Sequence, residues 1–99
     1  MRVVFAAPAS EQANELDDWW RANRPAAPDL FAQELAAAKR LLASTPEIGP
    51  PFVERAGVLV RRILLRRSRN HVYYEIDHVR GIVTVIAVWG APKGKTPDL

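Results

Sequence analysis

Six arginines fall between Arg55 and Tyr74, and no aspartate or glutamate lies among them. Arg61 and Arg62 are adjacent, as are Arg66 and Arg67, while Lys93 and Lys95 add two cations further on. Each guanidinium offers a planar fork that fits phosphate and carboxylate equally well, so the block suits a polyanion or an acidic protein surface. Groups able to move a proton are scarcer: His71, Tyr73, Glu75 and His78 are the candidates beside the arginines. His71 sits next to the apolar Val72, which points it outward from a strand, where pairing with a neighbouring strand is its ordinary role. His78 stands in a turn.

The cations belong to an uneven distribution. Residues 1–54 hold five Lys/Arg against eight Asp/Glu, a balance of −3, and residues 55–99 hold nine against three, a balance of +6. With two histidines and no cysteine, disulfides and thiolate chemistry are excluded and a zinc site is disfavoured; no metal and no cofactor is expected. The 99 residues suffice for one domain, 1–99, which buries about two-thirds of its unfolded surface, so a bound partner would supply much of the stability. Hydrophobic content of 48% and charged content of 25% are those of a globular chain. The opening Met-Arg-Val-Val-Phe-Ala-Ala-Pro run is too short for a secretory leader. No stretch reaches the roughly 18 apolar residues of a membrane span, so a cytoplasmic protein without membrane contact is expected.

The elements that must position these groups follow from periodicity. Residues 2–6 read as a short strand stopped by Pro8. From Ala9 to about Asn23, Ala13, Leu16 and Trp20 recur at helical spacing with Glu11, Glu15, Asp17 and Asp18 opposite, leaving Trp19 at the boundary of the apolar stripe. Pro25 and Pro28 break that helix. A second helix, from Pro28 or Asp29 to Ala43, carries Phe31, Leu35, Ala38, Leu41 and Leu42, and the short link makes the pair an antiparallel hairpin. Residues 47–57 are loop with a short edge strand near Phe52–Glu54. Residues 59–67 then alternate, with Ile63 and Leu65 on one side and Arg62, Leu64 and Arg66 on the other. Val72, Tyr74 and Ile76 alternate with Tyr73, Glu75 and Asp77, a strand packed on one face. Residues 82–89 are apolar on both faces and read as an interior strand. Residues 90–99, with two glycines and two prolines, are expected to form a flexible tail. The class is α+β in the order β-α-α-β-β-β, a helical hairpin on a twisted, mainly antiparallel sheet.

Four stretches in this order resemble the RelE/ParE superfamily of toxins from type II toxin–antitoxin systems. They are Asp-Asp-Trp-Trp-Arg-Ala-Asn-Arg-Pro (Asp17 to Pro25), the helix end from Leu41 to Gly49, the arginine strand from Val60 to Arg67 with its successor from His71 to Asp77, and Val83 to Trp89. The resemblance implies the helical hairpin behind a twisted antiparallel sheet. It also implies an antitoxin partner, expected to be acidic and DNA-binding, that wraps the toxin in a hetero-tetramer or larger complex.

Members of the superfamily resembling RelE cleave ribosome-bound message; those resembling ParE are described as poisoning DNA gyrase, a topoisomerase. Metal-free RNA cleavage needs a base for the 2′-hydroxyl, cations for the phosphorane and an acid for the leaving oxygen. Here the position after the last strand, often histidine in the nucleases, is Gly90, and residues 91–99 hold neither tyrosine nor histidine. Were the chain a metal-independent endoribonuclease, His71 would be its catalytic group. The ParE-like branch needs no such residue, and the reading therefore favours binding over catalysis. The expected surface for target or antitoxin is Arg61, Arg62, Arg66, Trp89, Lys93 and Lys95, and Trp19, if exposed, is expected in the groove taken by the antitoxin.

Overall fold

A computed structural model describes residues 1–90 and 96–99. Strand β1 (Arg2–Phe5) leads into helix α1 (Ala7–Asn23) and helix α2 (Leu30–Ser44). A single 3₁₀ turn (Pro46–Ile48) follows, then strands β2 (Pro51–Arg55), β3 (Val58–Leu65), β4 (Asn70–Asp77) and β5 (Ile82–Gly90). The strands form one sheet in the order β1-β5-β4-β3-β2, antiparallel except for β1, which pairs parallel with β5 through Arg2↔Ile82 to Phe5↔Val85. The edge strand near Phe52 is therefore a full member of the sheet. It joins β3 through Ala56 and Gly57, both at positive φ (50° and 78°), the signature of the mirror-image turns that match strand twist.

Pro8 sits in the first turn of α1, where a missing N–H costs nothing, and the helix stops one residue before Arg24-Pro25. Ala9 and Ala13 are buried, with Leu16 and Trp20 packed beside them. In α2 the buried line runs Phe31, Ala38 and Leu42, with Leu35 partly covered. Leu41, expected in that stripe, is 40% exposed. The spacing 31, 35, 38, 42 completes a narrow stripe, and Leu41 stands about 100° away from its neighbour Leu42. Both helices cover Ile63, Leu65, Val72, Tyr74, Val83, Val85 and Val88 of the sheet. Two side chains tie the layers together. Gln12 Oε1 accepts the Val88 N–H at 2.8 Å, and the Glu34 carboxylate accepts the N–H groups of Arg67 (2.9 Å) and Ser68 (2.8 Å), pinning the β3–β4 turn to α2.

The opposite face of the sheet is also packed, which the one-sided reading of β4 did not anticipate. Tyr73 is as buried as Tyr74, in a second cluster with Val60, Ile86 and Ala87 against which Phe52, Trp89 and Leu99 pack. A bulge in β5 makes this possible. Tyr73 pairs with Ala87 and Tyr74 with Val85, so Ile86 is an extra residue. After Val83 and Val85 the next residue facing the helices is Val88, and the two between them, Ile86 and Ala87, both join the far cluster. Gly90 closes β5 rather than opening the tail. Of residues 96–99, Pro97 is buried and Leu99 lies against the far face.

Candidate functional site

Adjacent residues in a strand point to opposite faces, and this separates the two central arginines. Arg61 points with Ile63 toward the helices, where Nη1 donates to the carbonyls of Glu47 (3.2 Å) and Gly49 (2.8 Å) in the segment around the 3₁₀ turn. The Tyr74 hydroxyl completes that clasp, accepting the Gly49 N–H at 2.9 Å and donating to the Pro46 carbonyl at 2.7 Å. Burial pushes the Tyr74 phenol above its ordinary range, against the lowering pull of the Gly49 N–H and of the Arg61 charge. Nearby, His78 Nε2 lies 3.6 Å from Glu47 at the surface.

Arg62 lies on the far face. Its guanidinium carbon stands 4.4 Å from the Phe52 ring centroid and 5.9 Å from that of Tyr73, and Nη1 donates to the Tyr73 hydroxyl at 3.3 Å. His71 meets Tyr73 edge-on at 5.9 Å, and cross-strand pairing sets it between Leu64 and Trp89. Desolvation first, and the Arg62 charge second, hold the His71 imidazole below its ordinary value of 6.5, so it is neutral near pH 7. A base and a cation thus share this face. The cation already lies over the Phe52 ring and donates to the Tyr73 hydroxyl, and its neighbour Arg61 is committed on the other side of the sheet.

A groove of about 640 Å³ opens beside the end of α1, between it, the β3–β4 turn and the end of β5. Trp19, Trp20 and Trp89 supply its apolar wall, and Arg24, Arg67 and Arg69 its charge, with Glu15 on the rim. Trp19 is 46% exposed and meets Trp20 edge-to-face at 5.9 Å; Arg24 folds over the pair at 4.9 and 5.7 Å. Trp19 and Trp89, read separately in the sequence, here line one depression. Arg66 is exposed in the β3–β4 turn, away from both Arg61 and Arg62. Lys93 and Lys95 lie outside the described residues.

Sequence reasoning missed Phe52, whose ring carries Arg62, and the groove arginines 24 and 69; it counted Arg67 among the strand cations without placing it in a groove. The groove arginines have no local pattern, since two elements some forty residues apart bring them together. Phe52 had a signal, an aromatic in an edge strand beside an arginine strand. Among the described residues no group of three or more His, Asp or Glu is placed to hold a metal ion. No helix of the described residues is long and apolar enough to cross a membrane.

Solved structures share this architecture, among them two from toxin–antitoxin systems. One is a chain of the chromosomal ParDE toxin–antitoxin system from P. aeruginosa, 14% identical with a TM-score of 0.71, matching over 91% of this chain and 95% of that one. The other, from the toxin–antitoxin complex RelBE2 of Mycobacterium tuberculosis, is 22% identical with a TM-score of 0.61, over 91% of each chain. No curated protein matches the sequence. The profile of the family described as "ParE toxin of type II toxin-antitoxin system, parDE" matches residues 3–91, from β1 to just past β5. With its two helices on a five-stranded sheet and this match along nearly its whole length, the chain belongs to the ParE toxins of type II toxin–antitoxin systems.

Proposed function

We propose that this toxin acts in the cytoplasm as a single domain, inhibiting DNA gyrase or a related topoisomerase by contact rather than by cutting RNA. The observation that carries this reading is the division of the arginine strand. Arg61 is tied to backbone carbonyls under the helices, and Arg62 is stacked on Phe52 and Tyr73. Phosphodiester cleavage calls for unencumbered cations beside an acid and a base on one surface. A binding mode asks only for exposed charge, which Arg66 and the groove arginines provide, with Lys93 and Lys95 as further candidates.

Neutralisation is assigned to an acidic, DNA-binding antitoxin whose apolar side chains enter the groove at Trp19 and Trp89 while its carboxylates meet Arg24, Arg67 and Arg69. The pairing of aromatic wall and guanidinium rim matches the anchors that dominate protein interfaces. That a structural neighbour was solved as a toxin–antitoxin complex supports such a partner. Assembly into a hetero-tetramer or larger is part of the same proposal.

The second reading, a ribosome-dependent nuclease, is favoured by one arrangement: the neutral His71 on the same face as Arg62 and Tyr73. Induced expression without antitoxin, following a DNA-damage reporter and protein synthesis together, separates the two. A rise in the reporter while translation continues supports topoisomerase poisoning. An immediate stop in translation without DNA damage overturns it and makes His71 the residue to replace.

A further inference from the structure

The far face of the sheet is held by a device that neither antitoxin binding nor target inhibition explains. Arg55, at the end of β2, reaches over β3 to Glu75 on β4, with Nε and Nη2 at 3.0 and 2.9 Å from Glu75 Oε1. That pairing fixes the guanidinium plane and aims the remaining Nη1 at the Leu99 main-chain oxygen, 2.6 Å away. The Leu99 side chain packs on the cluster of Val60, Tyr73, Ile86 and Ala87, and Pro97 is buried. The segment is thus gripped at a main-chain oxygen and an aliphatic side chain, with a proline between Thr96 and Asp98 that limits its freedom before it docks.

We propose that the far face is a peptide-binding site that residues 96–99 occupy from within the chain, and that its ligand class is an extended segment presenting an aliphatic side chain next to a main-chain oxygen. An apolar seat, an arginine oriented by a carboxylate and an occupant that uses both meet here. Tethering gives the occupant a high effective concentration, so a segment from another chain gains the seat only by displacing it. Phe52, which carries Arg62, and Trp89 pack on the same cluster as Leu99.

Tetranitromethane nitration of the full chain, read by peptide mass spectrometry, tests it. Tyr73 lies in the cluster on which Leu99 rests, and Tyr74 lies on the other face as an internal reference. In Leu99→Asp and in Arg55→Gln, Tyr73 is expected to nitrate about tenfold faster than in the unaltered chain, with Tyr74 unchanged, because local opening sets the reactivity of a covered group. Leu99→Ile restores the slow rate. Acetyl-Thr-Pro-Asp-Leu added to Leu99→Asp protects Tyr73, and acetyl-Thr-Pro-Asp-Asp does not. An unchanged Tyr73 rate in both variants, a parallel rise at Tyr74 in both, or equal protection by the two peptides overturns the proposal.

Discussion

The Tyr74 hydroxyl accepts the Gly49 N–H at 2.9 Å, and Gly49 lies so close that a Cβ there would stand 2.6 Å from that oxygen and 2.9 Å from the Arg62 carbonyl. The glycine is required by space rather than by its backbone angles, since its φ is −75°. Gly49→Ala must displace a strand carbonyl as well as a side chain, at an expected loss of about 1–3 kcal/mol in chemical denaturation. Tyr74→Phe leaves the Gly49 N–H without its partner in a buried place, for a similar loss of about 1–3 kcal/mol. Combined, they should fall well short of additivity, because both break one contact.

Neighbouring arginines should behave as different kinds of residue. Arg61→Ala removes the donor shared by the Glu47 and Gly49 carbonyls and should destabilise the free toxin by about 1.5–3 kcal/mol. Arg62→Ala forfeits a partly exposed stack on Phe52, about 0.5–1 kcal/mol. Thermal melts of the two variants side by side check the order; equal losses would place both on one surface.

His71 sets a pH dependence whose sign can be stated. Its folded value lies below 6.5, so between that lower value and 6.5 the unfolded chain binds the proton that the folded chain refuses. Stability is therefore complete above about pH 6.5 and declines as the pH falls through that window. Urea midpoints at pH 7.5, 6.5 and 5.5 should fall in that order, and His71→Gln should flatten the part of the slope that it owns. At the alkaline end Tyr74 acts in the opposite sense: its raised value means stability is lost as the pH climbs past 10.

Trp19→Ala should leave the melting temperature of the free toxin nearly unchanged, since the ring is 46% exposed, yet weaken antitoxin binding by about 2 kcal/mol or more, as aromatic anchors do. Calorimetric titration with the purified antitoxin measures it. An unaltered affinity would move the antitoxin away from this groove.

Much of the fold was legible because its signals are local. The helical stripes of α1 and α2, the prolines between them and the alternation of β3 each depend on residues a few positions apart. The far cluster was not legible. Tyr73 alternates with Tyr74 as an outward residue would, yet it meets the Phe52 ring at 5.2 Å and joins a cluster on which Leu99 packs, both remote in sequence. The bulge at Ile86 hides in a strand that is apolar at nearly every position, where a one-residue slip leaves no trace. The separation of Arg61 from Arg62 did lie in the sequence, since a period of two forbids adjacent residues from sharing a face. Density of charge, read without that period, grouped them.

The parallel pairing of β1 with β5 has a kinetic side. Among the described residues, residues 2–5 find their sheet neighbours at residues 82–85 alone, so β1 waits for β5 before it can be zipped into place. Until then Val3 and Phe5, which later pack against the core, have no β5 to lie beside. The helical hairpin can form early from local contacts, but its seat on the sheet is finished only when the chain closes on itself, a long loop of the kind that slows folding. In this topology one pairing between strands some eighty residues apart is what seals the sheet, and folding of its edge is tied to the arrival of β5.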